Sequence, residues 1–213
     1  MTAHRLPSIA AMASRRMQSG VSLIIVLILL VIVSILGVGA AQIASMGERS
    51  ARNDRDMQVA WQASEAALID AQCDIDPNNS GADAAHPCAA TRAASFASPV
   101  NPNNFISGCG TGANEGLCAL NTTGKPAWLT TDFTVSTSAA TTTGLGDFTG
   151  RSFPAGQTGT QPYQLPRYTI ELVPDPANRD RSGSTSGYIF RVTAMGFGPR
   201  QNIQAVTQII YRN

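Results

Sequence analysis

Val21–Ala41, VSLIIVLILLVIVSILGVGAA, is an unbroken, uncharged apolar run in a chain of 213 residues. About 20 such residues, wound as a helix, cross the ~30 Å hydrocarbon core of a bilayer. The run therefore predicts a membrane-spanning helix near the N-terminus. Arg5, Arg15 and Arg16 precede it and make the leader basic. This positive charge is expected to hold residues 1–20 in the cytoplasm and to send everything after Gln42 to the periplasm or cell exterior.

Three readings of this terminus predict different mature proteins. GVGAAQ at Gly37–Gln42 offers small residues to a signal peptidase, but the apolar run exceeds the ~7–15 residues of a usual signal-peptide core. A plain single-pass anchor needs no special residues. The third reading is cleavage between Gly20 and Val21, where a basic, polar leader ends in Gly and the apolar segment starts at once. That boundary is the form used by pilins and pseudopilins.

The residues that follow choose among them. QIASMGERSARNDRDMQVAWQASEAALIDAQCDI, Gln42–Ile75, holds no Pro and a single Gly. Ile43, Met46, Met57, Ala60, Trp61, Ser64, Leu68 and Ala71 recur in it at steps of three and four, the period of an amphipathic helix continuous with the membrane run. From Val21 to about Asp74 such a helix would be roughly 80 Å long. Met57, Trp61, Ser64 and Leu68 are expected to pack beneath a sheet. The mixed charges Glu48, Arg49, Arg52, Asp54, Arg55 and Asp56 are expected to form a solvated, self-paired face.

Residues 20–75 resemble the N-terminal region of PilX, a minor pilin family of the type IV pilus assembly machinery. The likeness rests on Gly20 before the apolar run, Leu36-Gly37 late in it, Glu48, Asn53 with Arg55-Asp56, and AWQASEAAL at Ala60–Leu68, which includes Glu65. YIFRVTAMGFG at Tyr188–Gly198 and AVTQIIY at Ala205–Tyr211 resemble the closing hairpin of the same family. Residues 76–166 show no counterpart at this level. The resemblance implies a prepilin peptidase acting at Gly20, N-methylation of Val21, and partners among the other minor pilins, the major pilin and the inner-membrane assembly platform. It further implies a subunit that leaves the inner membrane for a surface fibre used in adhesion and twitching motility.

One position departs from ordinary pilins, which carry Glu at the fifth mature position, where this chain has Ile25. There the carboxylate is thought to pair with the terminal amine of a neighbouring subunit, which offsets the cost of a charge in lipid. PilX-like proteins and K-type minor pseudopilins often lack it. A tip or initiation position is the expectation that follows.

Removing residues 1–75 leaves about 138 of the 213, enough for one ordinary domain. The net charge is +1, and Lys125 is the sole lysine, so no basic stripe suits a nucleic-acid partner. Cys73, Cys88, Cys109 and Cys118 all lie past the membrane run, on the oxidising side, and read as two disulfides. Three connectivities are possible. Cys73–Cys88 with Cys109–Cys118 is favoured, because each then closes a short loop of Gly, Asn and Pro. Zinc is disfavoured: there is no CxxC, and His86 is the only histidine after the leader.

DFTVST (Asp132–Thr137), YTIELV (Tyr168–Val173), YIFRVTAMGF (Tyr188–Phe197) and AVTQIIY (Ala205–Tyr211) carry strand signals. Ser138–Pro166 and Pro174–Gly187 read as loops. The expected fold is α+β and pilin-like, a long N-terminal helix on an antiparallel sheet of about four strands. Its segments are a leader at 1–20, a membrane half at 21–41, an amphipathic half at 42–75 and a disulfide-containing head at 76–213.

Enzymatic readings find no support. GSTSG at Gly183–Gly187 has Thr185 where a nucleophile elbow needs Ser, and phosphate-loop and zinc-protease motifs are missing. Asp175, Asn178 and Asp180 form a weak Ca²⁺ candidate without the EF-hand spacing. The expectation is a non-enzymatic minor pilin without cofactors. The alternatives are a K-type pseudopilin of type II secretion, or a membrane-anchored adhesin or ligand-binding module.

Overall fold

The computed structural model describes residues 21–79, 87–156, 159–177 and 187–212. The chain divides into two compact units, residues 1–50 and 51–213. The first contains the N-terminal part of helix α1 (Val21–Ile75). Its side chains from Val21 to Val38 are all exposed, as suits lipid. The Ser34 hydroxyl donates to the Leu30 carbonyl at 2.7 Å and so needs no water there.

In the second unit, Ala60, Ala63, Ser64, Ala67 and Ala71 of α1 are fully buried. Their spacing draws one stripe along the helix, and their small size lets a sheet strand come very near. A Cβ on Gly196 would collide with the Ala60 carbonyl and the Ser64 backbone nitrogen. The expectation of large residues beneath the sheet therefore needs correcting. Ser64 is buried and Leu68 is partly so, but Met57 is 43% and Trp61 51% exposed. No space for an indole remains where backbone meets backbone. Trp61 turns outward, and its Nε1 donates to Glu65 at 2.7 Å.

The sheet contains β1 (Leu117–Ala119), β2 (Thr143–Gly144), β3 (Arg167–Pro174), β4 (Tyr188–Phe197) and β5 (Gln204–Tyr211). The strand order is β1-β3-β4-β5, with β2 also beside β3. β3–β4 and β4–β5 are antiparallel, while β1 runs parallel to β3. The sheet is thus mixed and five-stranded rather than antiparallel and four-stranded. β2 lies within the stretch expected to be loop. Asp132–Thr137, expected as a strand, is turn and irregular backbone. The Asp132 carboxylate accepts the Thr134 N–H at 2.8 Å and its hydroxyl at 2.7 Å, a local closure that competes with ladder formation.

Alternation along the long strands sends Tyr168, Ile170 and Leu172 of β3, with Phe190, Val192 and Ala194 of β4, to the core shared with Ala67, Ala71 and Ile75. Phe96 and Phe105, from the irregular segment after α1, extend that core. Their rings lie 5.4 and 6.2 Å from Phe190. Disulfides join Cys73 to Cys88 and Cys109 to Cys118. The first closes 15 residues, worth about 3 kcal/mol by chain entropy.

Close seating of the helix makes a contrast that thermal unfolding of the full chain in detergent can read. Gly196→Ala should cost about 1–3 kcal/mol through overpacking, whereas Trp61→Ala should cost about 1 kcal/mol or less. The opposite ranking would show that the helix rests on its large residues.

Candidate functional site

The stripe of α1 that meets the sheet also carries two acids. Asp70 and Asp74 are fully buried and lie one turn apart on the face of Ala63, Ala67 and Ala71. Asp74 accepts Arg92 Nε at 2.9 and 3.0 Å and Nη2 at 2.5 Å, together with the Tyr168 hydroxyl at 2.9 Å. Arg92 continues to the Glu115 carbonyl at 2.6 Å and to Thr143 Oγ1 at 3.1 Å, and its guanidinium lies 3.7 Å from the centre of the Phe148 ring. One buried ion pair thereby ties the end of α1 to β3, to β2 and to the segment before β1. Burial pushes the Tyr168 phenol well up, and the neighbouring Asp74 and Asp70 charges add to the effect.

A second pair, Arg167 and Glu115 at 2.8 Å, lies nearby, with Arg167 Nε on Thr142 Oγ1 at 2.7 Å. Burial raises the Glu115 carboxyl. Further along β3, Glu171 accepts Arg191 Nε at 2.9 Å. These residues carry no sequence motif. The signal that could have found Asp70 and Asp74 is their phase, which is that of the alanine stripe.

Asp70 faces a different demand. It accepts the Gly146 N–H at 2.9 Å and the Thr149 hydroxyl. Gly146 has φ of +91°, and a Cβ there would strike the Arg151 carbonyl. Burial lifts the Asp70 carboxyl to about 6. The two hydrogen bonds oppose the lift, the nearby Asp74 adds to it and Arg151 opposes it.

The residues singled out from sequence scatter rather than converge. Gly20 and His86 lie outside the described residues, and Val21 opens α1. Glu48 and Asn53 are exposed on α1, and Glu65 holds Trp61. Asp56 corrects the expectation of a solvated, self-paired face. It is buried and accepts Arg200 at 2.8 Å, from the turn between β4 and β5, besides its neighbour Arg55 at 3.4 Å. The Arg200 hydrogen bond comes first among the causes that hold its carboxyl below the usual range. Of the Ca²⁺ candidate, Asn178 and Asp180 lie outside the described residues, and Asp175 accepts Arg212 at 2.8 Å. Among the described residues, no three His, Cys, Asp or Glu side chains gather as a metal site. A cavity of about 510 Å³ is lined by Glu115, Asp147, Arg167, Gln164 and Leu165 among others. Glu115 and Arg167 hold each other there.

What remains is surface. In the second unit α1 exposes Met57, Trp61 and Ile69, and in the first unit it exposes Ile43 and Met46 beyond the apolar run. Large apolar side chains on an exposed helix suit contact with another protein.

A long helix, apolar at its start and seated on a sheet through its later turns, defines a membrane-anchored pilin. The family description "PilX N-terminal" matches residues 19–68, and "Type IV pilus assembly protein PilX C-term" matches residues 114–213. The chain belongs to the PilX family, a family of structural components of the type IV pilus. The second match starts well before the closing hairpin. It therefore corrects the expectation that everything up to Pro166 lacks a counterpart. No curated protein and no solved structure matches the chain.

The raised Asp70 carboxyl sets a pH dependence. The folded state binds this proton more tightly than the unfolded one, whose carboxyl sits near the ordinary ~3.9. Its contribution is full below pH ~4 and is lost as pH rises through about 6. The span is on the order of 3 kcal/mol. Melting temperatures of the full chain between pH 4 and 7.5 should show this fall for wild type, and Asp70→Asn should lack it. Parallel pH profiles for the two would contradict the assignment.

Proposed function

We propose that this chain is a minor pilin that helps start type IV pilus assembly and stays at the fibre tip with other minor pilins. The observation that carries the reading is Ile25. A subunit repeated along the shaft without a carboxylate at that position would leave each neighbour's terminal amine unpaired, at several kcal/mol per buried charge. A single copy at the end incurs no repeated penalty. The exposed Met57, Trp61 and Ile69 of α1 support packing against helices of other subunits. The major pilin and the inner-membrane assembly platform complete its set of partners.

In this reading prepilin peptidase removes residues 1–20, Val21 becomes the N-methylated first residue, and the head waits in the periplasm until assembly. The basic leader keeps the cleavage point on the cytoplasmic side. Deletion of the gene should abolish or sharply lower piliation while the major subunit is still made and processed. Immunogold should label fibre ends in few copies. Even labelling along whole fibres, or native protein whose mass includes Met1, would overturn the reading.

A further inference from the structure

The two buried acids of α1 are met in different ways. Asp74 has Arg92, which binds it through Nε and Nη2. Asp70, one turn earlier and equally buried, is met by neutral donors, the Gly146 N–H at 2.9 Å and the Thr149 hydroxyl. Both donors belong to the turn that follows β2. The titratable and charged groups around Asp70 do not supply it with a partner. Asp74, on the same helix, is a like charge already paired with Arg92, and Tyr168 of β3 donates its hydroxyl to Asp74. Asp147, on the turn itself, accepts the Gly144 N–H at 2.8 Å. Arg151, where the turn ends, is the cation that favours an ionised Asp70. Its guanidinium is directed to backbone, with Nη1 donating to the Ile69 carbonyl at 3.3 Å and Nε to the Pro87 carbonyl at 3.4 Å. Burial, with Asp74 adding to it, outweighs Arg151 and the two hydrogen bonds.

Nothing in the contact needs the charge. With its proton on Oδ1, Asp70 donates to Thr149 Oγ1, while Oδ2 goes on accepting from Gly146. Ionised, it becomes a carboxylate sealed from water, with a like charge one turn away. Lifting the turn relieves that state, because water then reaches the carboxylate. We infer that residues 146–151 form a proton-controlled latch on α1, shut while Asp70 carries its proton and opened by its ionisation.

The latch has a fixed end and a free one. At the fixed end, β2 pairs with β3, and the Leu145 N–H donates to the Pro166 carbonyl at 3.0 Å. Beyond it, Phe148 covers the Arg92 guanidinium at 3.7 Å. The Phe148 and Thr149 carbonyls accept the Thr91 and Ala89 N–H groups at 2.9 and 3.0 Å. Opening at Asp70 therefore uncovers Arg92 and adds the Phe148 ring to the surface. Ile69, already exposed on α1, lies against the same latch through Arg151. The apolar surface that the head offers to another protein thus grows as pH rises.

Native-state amide hydrogen exchange of the full chain in detergent tests the latch at Gly146, whose N–H ends on Asp70. Exchange there should pass through a local opening. Gly146 should be less protected than Ile170 and Val192 of the sheet at every pH, with a rate that does not respond to low denaturant. Corrected for the intrinsic pH dependence of exchange, its protection should fall about ten-fold between about pH 5 and 7.5. Asp70→Asn keeps the shape of the side chain and should hold protection level over that range. Should that variant fail to fold, Arg151→Gln decides: loss of the cation should move the fall to higher pH. Wild-type protection at Gly146 that is level with pH, or equal to that of Ile170 and Val192, would overturn the latch. So would a fall that persists in Asp70→Asn, or one that Arg151→Gln leaves in place. The latch belongs to the head alone, so a gene deletion that left piliation intact would sink the minor-pilin reading without touching this result.

Discussion

A buried carboxylate is costly unless a counter-charge and hydrogen-bond donors meet it, and Asp74 is fully buried in the face of α1 that meets the sheet. Arg92 answers it, and that contact ties the end of α1 to β2 and to the segment before β1. To reach Asp74, Arg92 must lie under the sheet edge, where it also meets Glu115, Thr143 and Phe148. The segment between α1 and β3 contributes few large core residues, chiefly Phe96, Phe105, Leu117 and Phe133. Apolar area alone positions it weakly. A hydrogen-bonded ion pair is directional and fixes the segment in one arrangement, although its net contribution to stability is modest once desolvation is counted. The Cys73–Cys88 disulfide acts on the same stretch from the other side, by limiting the unfolded chain.

The helix inverts the usual amphipathic arrangement. From Ala60 to Ala71 its sheet-facing stripe is mostly alanine and serine, while Met57, Trp61 and Ile69 face outward. Small residues allow backbone contact with β4 at Gly196, and Ala67, Ala71 and Ile75 share the apolar core of the head. The large residues are left available to neighbours. For a chain of a structural pilus family, the surfaces that matter are those an isolated subunit leaves exposed.

The helix and the three long strands were legible because each repeats a simple period. α1 carries an apolar run followed by steps of three and four, and β3, β4 and β5 are rich in β-branched and aromatic residues. β1 was not legible: it has three residues, one of them the disulfide-bonded Cys118, and pairs in parallel with a strand some 50 residues later. Asp132 defeated the strand signal of DFTVST by accepting two hydrogen bonds from Thr134 in its own turn. Trp61 shares the three-and-four spacing that led to the expectation of burial, but the alanines in phase with Asp70 and Asp74 mark the buried side. The polar hub eluded the sequence because its partners, at positions 74, 92, 115, 143 and 168, are brought together only by the fold.

The central claim, that the Asp74–Arg92 pair organises the head, is tested most directly by a double-mutant cycle on the full chain in detergent. Asp74→Leu and Arg92→Met should each destabilise by about 3–5 kcal/mol, because each leaves a buried charge alone. The double variant should be more stable than the sum of the two losses implies, by at least ~2 kcal/mol. Losses that add to within ~0.5 kcal/mol would show the two residues acting independently, and would contradict the account.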